Sequence, residues 1–279
     1  MSNLVLRSLM FVPAHNEKLI LSASKSKTDA IILDLEDSVP DSSKRTARVM
    51  IRQSLPLFKQ PVFIRINGKD SPNFWPDIDE LRYQGFQGIV YPKATNANEI
   101  TDLSDIMPGI SVIPLIETAG AVLNCQSICE APSVIAVAFG CEDYTADLQG
   151  IHSHAQLSVP RAMIAMAART ARVIPIDTVH INVHDLDELE SEAMFARSLG
   201  FEGMLVLHPK ELPIVHKVFT PSDLAVSEAR EMLRLSKEAT ANNKGVAYLN
   251  GRFIGPPLVR QAQAVLDRYE RIQRWESSL

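Results

Sequence analysis

Short apolar runs recur along the chain, each closing on a polar or charged residue and followed by an amphipathic stretch. Eight such runs, at residues 9–12, 30–35, 62–66, 88–91, 112–116, 134–139, 178–183 and 204–207, begin about 20 to 45 residues apart, the length of a strand–helix unit. They are continuously apolar rather than alternating, as strands must be when one face meets a packed interior and the other meets helices. Helical stretches fill the gaps. Residues 156–172 are long, Ala-rich and amphipathic; Asp41 or Ser42 is placed to cap a helix carrying Arg45 and Arg48, and Thr118 one running to Cys129. The pattern predicts an α/β fold, a (β/α)8 TIM barrel over residues 1–220 with extra C-terminal helices over residues 221–279. In that tail, residues 221–240 and 256–275 read as helices, and Val246, Tyr248 and Leu249 between them suit a small β turn. The tail is longer than a bare barrel needs and is expected to cover the mouth of this barrel or of a neighbouring subunit. A doubly wound open sheet is the alternative, but neither its Gly-rich fingerprint nor a Walker A loop occurs.

Composition narrows the function. Of 279 residues, 46% are hydrophobic and 22% charged, the mix of a globular protein rather than a disordered or fibrous one. A net charge of −5 leaves no nucleic-acid footprint, so anions must be met by local cations, a metal or helix N-termini. Three cysteines are the wrong arithmetic for a disulfide scaffold and are expected as buried thiols in a reducing compartment. The first 13 residues hold one arginine and an apolar run too short for a signal peptide or a membrane span. A cytoplasmic location without a membrane partner is the expectation.

Barrel enzymes carry their chemistry on the C-terminal ends of the strands, where the βα loops share one mouth. The residues at those ends are Pro13 and His15; Asp34, Glu36 and Asp37; Arg65 and Asn67; Lys93; Glu117; Glu142 and Asp143; Asn182 and His184; and His208. Glu117 and the Glu142–Asp143 pair follow adjacent strands, so their carboxylates can meet. Two anions in an apolar mouth repel, and a hard divalent cation with oxygen ligands relieves them. The competing reading is that Glu117 and Asp143 serve only the starts of the helices that follow. Arg65 closes a very apolar strand, and its guanidinium needs a carboxylate, either Glu36 in a structural ion pair or a bound substrate. Lys93 is the other cation of the mouth; nothing beside it in sequence would depress its pKa as a Schiff-base lysine requires. The histidines lack zinc-site spacing, and no nucleophile elbow or Cys–His signature occurs.

These residues fall within an ordered set: Arg7-Ser-Leu-Met-Phe-Val-Pro13, Ile32-Leu-Asp-Leu-Glu-Asp37, Phe63-Ile-Arg-Ile-Asn67, Tyr91-Pro-Lys93, Leu115-Ile-Glu-Thr-Ala-Gly120, Phe139-Gly-Cys-Glu-Asp143, Ile176-Asp-Thr178, Leu199-Gly-Phe-Glu-Gly203, His208-Pro209 and Asn250-Gly-Arg-Phe-Ile-Gly-Pro-Pro257. From about residue 7 to 265 the chain resembles the citrate lyase β-subunit-like (CitE-like) branch of the HpcH/HpaI aldolase family. The resemblance implies a TIM-barrel carbon–carbon lyase that uses Mg²⁺ to cleave a short 3-hydroxyacyl thioester of citramalyl, malyl or citryl type. The products are an acyl-CoA, such as acetyl-CoA, and a 2-oxo acid. It implies Glu117 and Asp143 as metal ligands and Arg65 as the clamp on the substrate carboxylate. With it go backbone N–H groups of Gly140, Cys141 and Glu142 for the oxo-acid carboxylate, and Glu36 and Asp37 to orient Arg65 or relay a proton. A homo-oligomer, a trimer or a hexamer, is also implied.

The chain departs from the family pattern at three positions. Asn250 and Gly255 stand where many relatives have acids, and Met204 replaces a common lysine. Gly255 has no side chain to assist enolate chemistry or thioester hydrolysis in a neighbouring site. Two other functions stay open: an aldolase acting on free 2-oxo acids, and a carrier-dependent or non-catalytic subunit of a citrate-lyase-like complex. A cationic cleft using Arg7, Arg45 or Arg48 would favour the thioester over the free acids.

Overall fold

The structure, a computed structural model, describes residues 4–82, 85–242, 247–249 and 251–278. It divides into two compact units, residues 6–216 and residues 217–279 with the N-terminal residues up to 5. In the larger unit strands and helices alternate: β1 Ser8–Pro13, α1 Glu17–Ala23, β2 Ala30–Asp34, α2 Lys44–Ser54, β3 Val62–Arg65, α3 Phe74–Leu81, β4 Gly88–Tyr91 and α4 Ala97–Ile106. There follow β5 Ser111–Ile116, α5 Ala119–Leu123, α6 Cys125–Cys129, β6 Ala136–Phe139, α7 Cys141–Asp147, α8 His154–Ala171, β7 Ile174–Asp177, α9 Leu186–Leu199 and β8 Gly203–Val206. Helix α10, Leu212–Phe219, runs across the division. The smaller unit continues with α11 Asp223–Ala241, β9 Ala247–Leu249, β10 Arg252–Ile254 and α12 Pro256–Glu276.

The eight strands pair in sequence order, all parallel, and β8 closes on β1 as Ser8–Met10 meets Met204–Val206. This is the TIM barrel the apolar runs predict. Every residue of β2, β4, β6 and β8 is buried, which is why those runs do not alternate. Gly203 is needed at the start of β8, because a Cβ there would collide with the Leu6 carbonyl.

Four local expectations change. The seventh strand is Ile174–Asp177, not residues 178–183. Pro175 lies one residue before β7 first meets β8 at Ile176↔Gly203, so its missing N–H removes no ladder bond. The 178–183 segment is loop, and Asn182 and His184 leave the strand end, which Asp177 and Thr178 occupy instead. Asp41–Ser43 forms a 3₁₀ turn, so neither Asp41 nor Ser42 caps α2. Thr118 does cap, accepting from the Ala121 N–H at 3.1 Å, but the helix it starts breaks at Asn124 into α5 and α6. Arg7 and Arg48 are no surface cleft. Arg7 is buried in a bidentate pair with Asp29 before β1 begins, and Arg48 bonds Asp77 at 2.7 Å.

In the smaller unit α11 packs against α12, and β9 and β10 pair as an antiparallel hairpin. Tyr248 and Leu249 lie in that hairpin, as the β turn expected there requires; Val246 and Asn250 lie outside the described residues. Gly255 is the N-cap residue of α12, and a Cβ on it would press on the Phe253 ring. Among the described residues no helix is long and apolar enough to cross a membrane.

Candidate active site at the C-terminal mouth of the barrel

The ends of β2, β3, β4, β5 and β6 bring a linked set of charges together. β2 and β3 set Asp34 directly across from Arg65. Arg65 Nε donates to Asp34 Oδ1 at 2.6 Å and Nη2 to Oδ2 at 2.7 Å, the bidentate geometry a guanidinium fork favours. Its remaining nitrogen, Nη1, lies 3.1 Å from Glu36 Oε2 and 3.5 Å from Asp37 Oδ2. The Phe11 ring of β1 covers the guanidinium at 4.8 Å. Glu36 also accepts from Lys93 Nζ at 2.9 Å, so one carboxylate joins both cations of the mouth. Lys93 is in the left-handed region at φ 50, and its own N–H donates to Glu117 Oε1 at 2.5 Å.

Glu117 is 2% exposed, and its carboxylate lies against Gly140. Burial above all, then the charges of Glu36 and Asp143, push its carboxyl up to about 8, against the pull of the Lys93 N–H and Arg65. Burial likewise raises Glu36, with Arg65 and Lys93 opposing and Asp37 adding to it. Asp34 goes the other way: burial would raise it, but the bonds from Arg65, Ser38 and the Glu36 N–H hold it below the usual carboxylate range. Burial would lower Arg65 and Lys93, but their carboxylate partners hold both above their ordinary values. Lys93 is therefore a permanent cation rather than a free amine. Asp143 and Glu142 are exposed in the first turn of α7, and Asp143 lies close enough for its charge to raise Glu117.

Two cavities flank this set. One, of about 570 Å³, is largely apolar and runs from Arg65 and Asp34 past Phe11 to Leu207 and His208. The other, of about 820 Å³, is polar and runs from Glu36 and Lys93 to Lys69 and Glu99. The linings reach Arg65 and Lys93 but not Glu117 or Asp143. His208 keeps a structural task as well, its Nδ1 accepting from the Lys210 N–H at 3.1 Å.

Arg65, Glu36, Asp37 and Glu117 are thus brought together as expected, with Asp143 beside them. One expectation needs correction. The Gly140 N–H is spent on the Ile116 carbonyl at 3.0 Å and the Cys141 N–H on Thr178 Oγ1 at 3.2 Å, so neither is left for an oxo-acid carboxylate. Both belong to the strand-to-helix turn itself. Glu142 sits in the first turn of α7, where an N–H has no intrahelical acceptor. Asp34 is the partner that sequence reasoning did not assign; its place one strand over from Arg65 was the available signal. The three thiols are free and buried, and burial pushes Cys129 and Cys141 up to about 12.

Gly140 supplies a direct test of this packing. A Cβ on Gly140 would stand 2.6 Å from Glu117 Oε2 and 2.8 Å from Glu117 Cβ, too close for either to stay. Gly140→Ala is therefore expected to displace the Glu117 carboxylate, lowering Tm and weakening any Mg²⁺-induced rise in Tm by differential scanning fluorimetry. An unchanged Mg²⁺ response would show that the position of Glu117 does not matter for the ion.

The family described as HpcH/HpaI aldolase/citrate lyase matches residues 7–209. A citrate lyase subunit beta-like protein of Deinococcus radiodurans is 30% identical over 275 residues, covering 94% of this chain and 96% of that one. A (3S)-malyl-CoA thioesterase of Cereibacter sphaeroides is 27% identical over 279 residues, covering 98% and 97%. Among solved structures, CitE from Mycobacterium tuberculosis in complex with magnesium, acetoacetate and coenzyme A superposes with a TM-score of 0.84 at 26% identity, covering 96% of this chain and 100% of that chain. The citrate lyase beta subunit of the same organism, complexed with oxaloacetate and magnesium, gives 0.71 at 27% identity, covering 78% and 99%. With its closed eight-stranded barrel and a family match over most of its length, this chain belongs to the HpcH/HpaI aldolase/citrate lyase family.

Proposed function

We propose that this chain is a Mg²⁺-dependent carbon–carbon lyase acting on a short 3-hydroxyacyl-CoA of citramalyl, malyl or citryl type, yielding an acyl-CoA such as acetyl-CoA and a 2-oxo acid. The observation that carries this reading is the buried Glu117 carboxylate, crowded by Glu36 and Asp143 and linked through Lys93 and Glu36 to Arg65. The donor set fits the ion: Glu117 and Asp143 offer hard oxygens, and a dication would relieve the repulsion that keeps Glu117 protonated. The relatives complexed with magnesium and with oxaloacetate or acetoacetate support the same choice.

The chemistry supplied by Mg²⁺ bound at Glu117 and Asp143 is Lewis-acid polarisation of the substrate hydroxyl and the carboxylate beside it. Arg65, with one edge locked on Asp34, presents the Nη1 side of its charge to that carboxylate. Asp37 positions that same nitrogen. Glu36, raised by burial and held between Arg65 and Lys93, accepts the hydroxyl proton at a carboxylate oxygen. The hydroxyl oxygen then closes to a carbonyl as the adjacent C–C bond breaks. Its electron pair passes to the thioester as an enolate, which takes a proton to give the acyl-CoA. The backbone N–H of Glu142, in the first turn of α7, contributes to holding the oxo acid. With glycine at 255, no hydrolytic second step is assigned to that position. The reading carries a homo-oligomer, trimer or hexamer, and a cytoplasmic location.

A steady-state assay of the isolated protein on citramalyl-, malyl- and citryl-CoA, with Mg²⁺ and with chelator, tests it. Mg²⁺-dependent release of acyl-CoA and a 2-oxo acid is expected. Free CoA appearing without an oxo acid would identify a thioesterase. Turnover of free hydroxy-oxo acids alone would identify an aldolase, and turnover only with an acyl-carrier partner a subunit of a larger lyase.

A further inference from the structure

Beside the Glu117–Arg65 set, the first turn of α7 and the loop before α8 assemble donors of a different kind. Cys141, Glu142 and His152 each offer one donor atom, and the three atoms lie within 4.8 Å of one another. The thiol donates to Glu142 Oε1 at 3.3 Å, and the same oxygen lies 2.9 Å from His152 Nδ1. A tetrahedral zinc ion with arms of about 2.3 Å to sulfur and about 2.0 Å to nitrogen and oxygen sets its ligands about 3.5 Å (S to O) and about 3.3 Å (O to N) apart. The two contacts are thus within a few tenths of an ångström of two edges of such a polyhedron.

The environment suits an ion. Cys141 is fully buried and fixed, its N–H tied to Thr178. Glu142 and His152 have side chains 50% and 40% exposed, so water can reach the open side and complete the coordination. Thiolate and imidazole favour borderline-soft first-row ions, whereas Mg²⁺ prefers an all-oxygen octahedron. We propose that Cys141, Glu142 and His152 bind a borderline-soft divalent cation of the Zn²⁺ class, with a water as fourth ligand, at a site separate from Glu117 and Asp143. The thiol binds as thiolate and its proton passes to solvent. The ion would clasp the loop holding His152 to the first turn of α7.

Anaerobic titration of the reduced protein with Co²⁺ tests this, because only a sulfur-ligated cobalt gives a near-ultraviolet thiolate-to-cobalt charge-transfer band. The band is expected in the natural protein, to be bleached by Zn²⁺ and to persist in excess Mg²⁺. It should survive in Cys125→Ser/Cys129→Ser and in Glu117→Gln, and vanish in Cys141→Ser. As Cys141 is buried and its substitution burdens the fold, exposed His152→Gln carries the same test: Co²⁺ affinity should fall about tenfold or more. No band in the natural protein, a band that survives Cys141→Ser, a band lost in Glu117→Gln, or unchanged affinity in His152→Gln would each overturn the proposal. The band reports sulfur ligation and is read without substrate, so failure of the lyase reading leaves this result intact.

Discussion

Glu117→Gln is expected to remove Mg²⁺-dependent turnover, lowering kcat/KM about 10²- to 10³-fold or more, the worth of several kcal/mol of Lewis-acid stabilisation. Asp143→Asn should do the same with less effect on the fold, because Asp143 is exposed while Glu117 is buried. The pH dependence gives an independent signature. In the ion-free protein the Glu117 carboxyl is pushed from 4.5 to about 8. The folded state therefore holds that proton more tightly than the unfolded chain. The resulting stability is present in full below 4.5 and is lost as pH rises through about 8. Chelated natural protein should lose Tm across that window, and Glu117→Gln, which cannot ionise, should lose less. Mg²⁺ requires the ionised carboxylate, so its stabilising effect should be larger at about pH 9 than at about pH 6, and absent in Glu117→Gln. Unchanged kinetics in both variants would sink the metal assignment.

The barrel was legible because its strands are buried on both faces, and a run such as Ala30-Ile-Ile-Leu33 has no other place to go. The seventh strand escaped because Pro175 disguises Ile174–Asp177, while the β-branched Thr178, Val179, Ile181 and Val183 imitate a strand. Whether a proline costs a ladder bond depends on where the next strand begins, which only the assembled sheet decides. The same distinction divides the site. Arg65, Glu117 and Asp143 could be read from their places after apolar runs, because in a barrel every strand end faces one mouth. Partner choice could not. Arg65 takes Asp34 rather than Glu36 as its bidentate partner because the β2–β3 register sets those two side by side. Lys93 reaches Glu117 through its backbone, by a left-handed turn that its side chain does not announce. Cys141 and His152 come together only because the loop after α7 folds back.

Arg65→Lys is expected to separate charge from geometry. Lysine keeps the cation but cannot make the two parallel bonds to Asp34, so KM for the thioester should rise or kcat fall although the formal charge is unchanged. Arg65→Ala goes further, leaving the Asp34 carboxylate, whose side chain is 1% exposed, without its cation. Loss of a partner from a buried pair costs about 3–5 kcal/mol. Its pH dependence has the opposite sign to that of Glu117. Asp34 is held below 3.8 in the folded protein, so its contribution is present above that value and lost as pH falls through the depressed one. Without Arg65, burial dominates and the carboxyl titrates higher, so protonation relieves it: the Tm deficit of Arg65→Ala against the natural protein should be largest near neutral pH and shrink on acidification, with Arg65→Lys between. Asp34→Asn completes the argument by leaving the guanidinium charge while loosening its aim. If Arg65 acts on substrate, kcat/KM falls in all three variants, whereas a residue serving only the β2–β3 pairing would lower the Tm near neutral pH in Arg65→Lys and leave kcat/KM where it was.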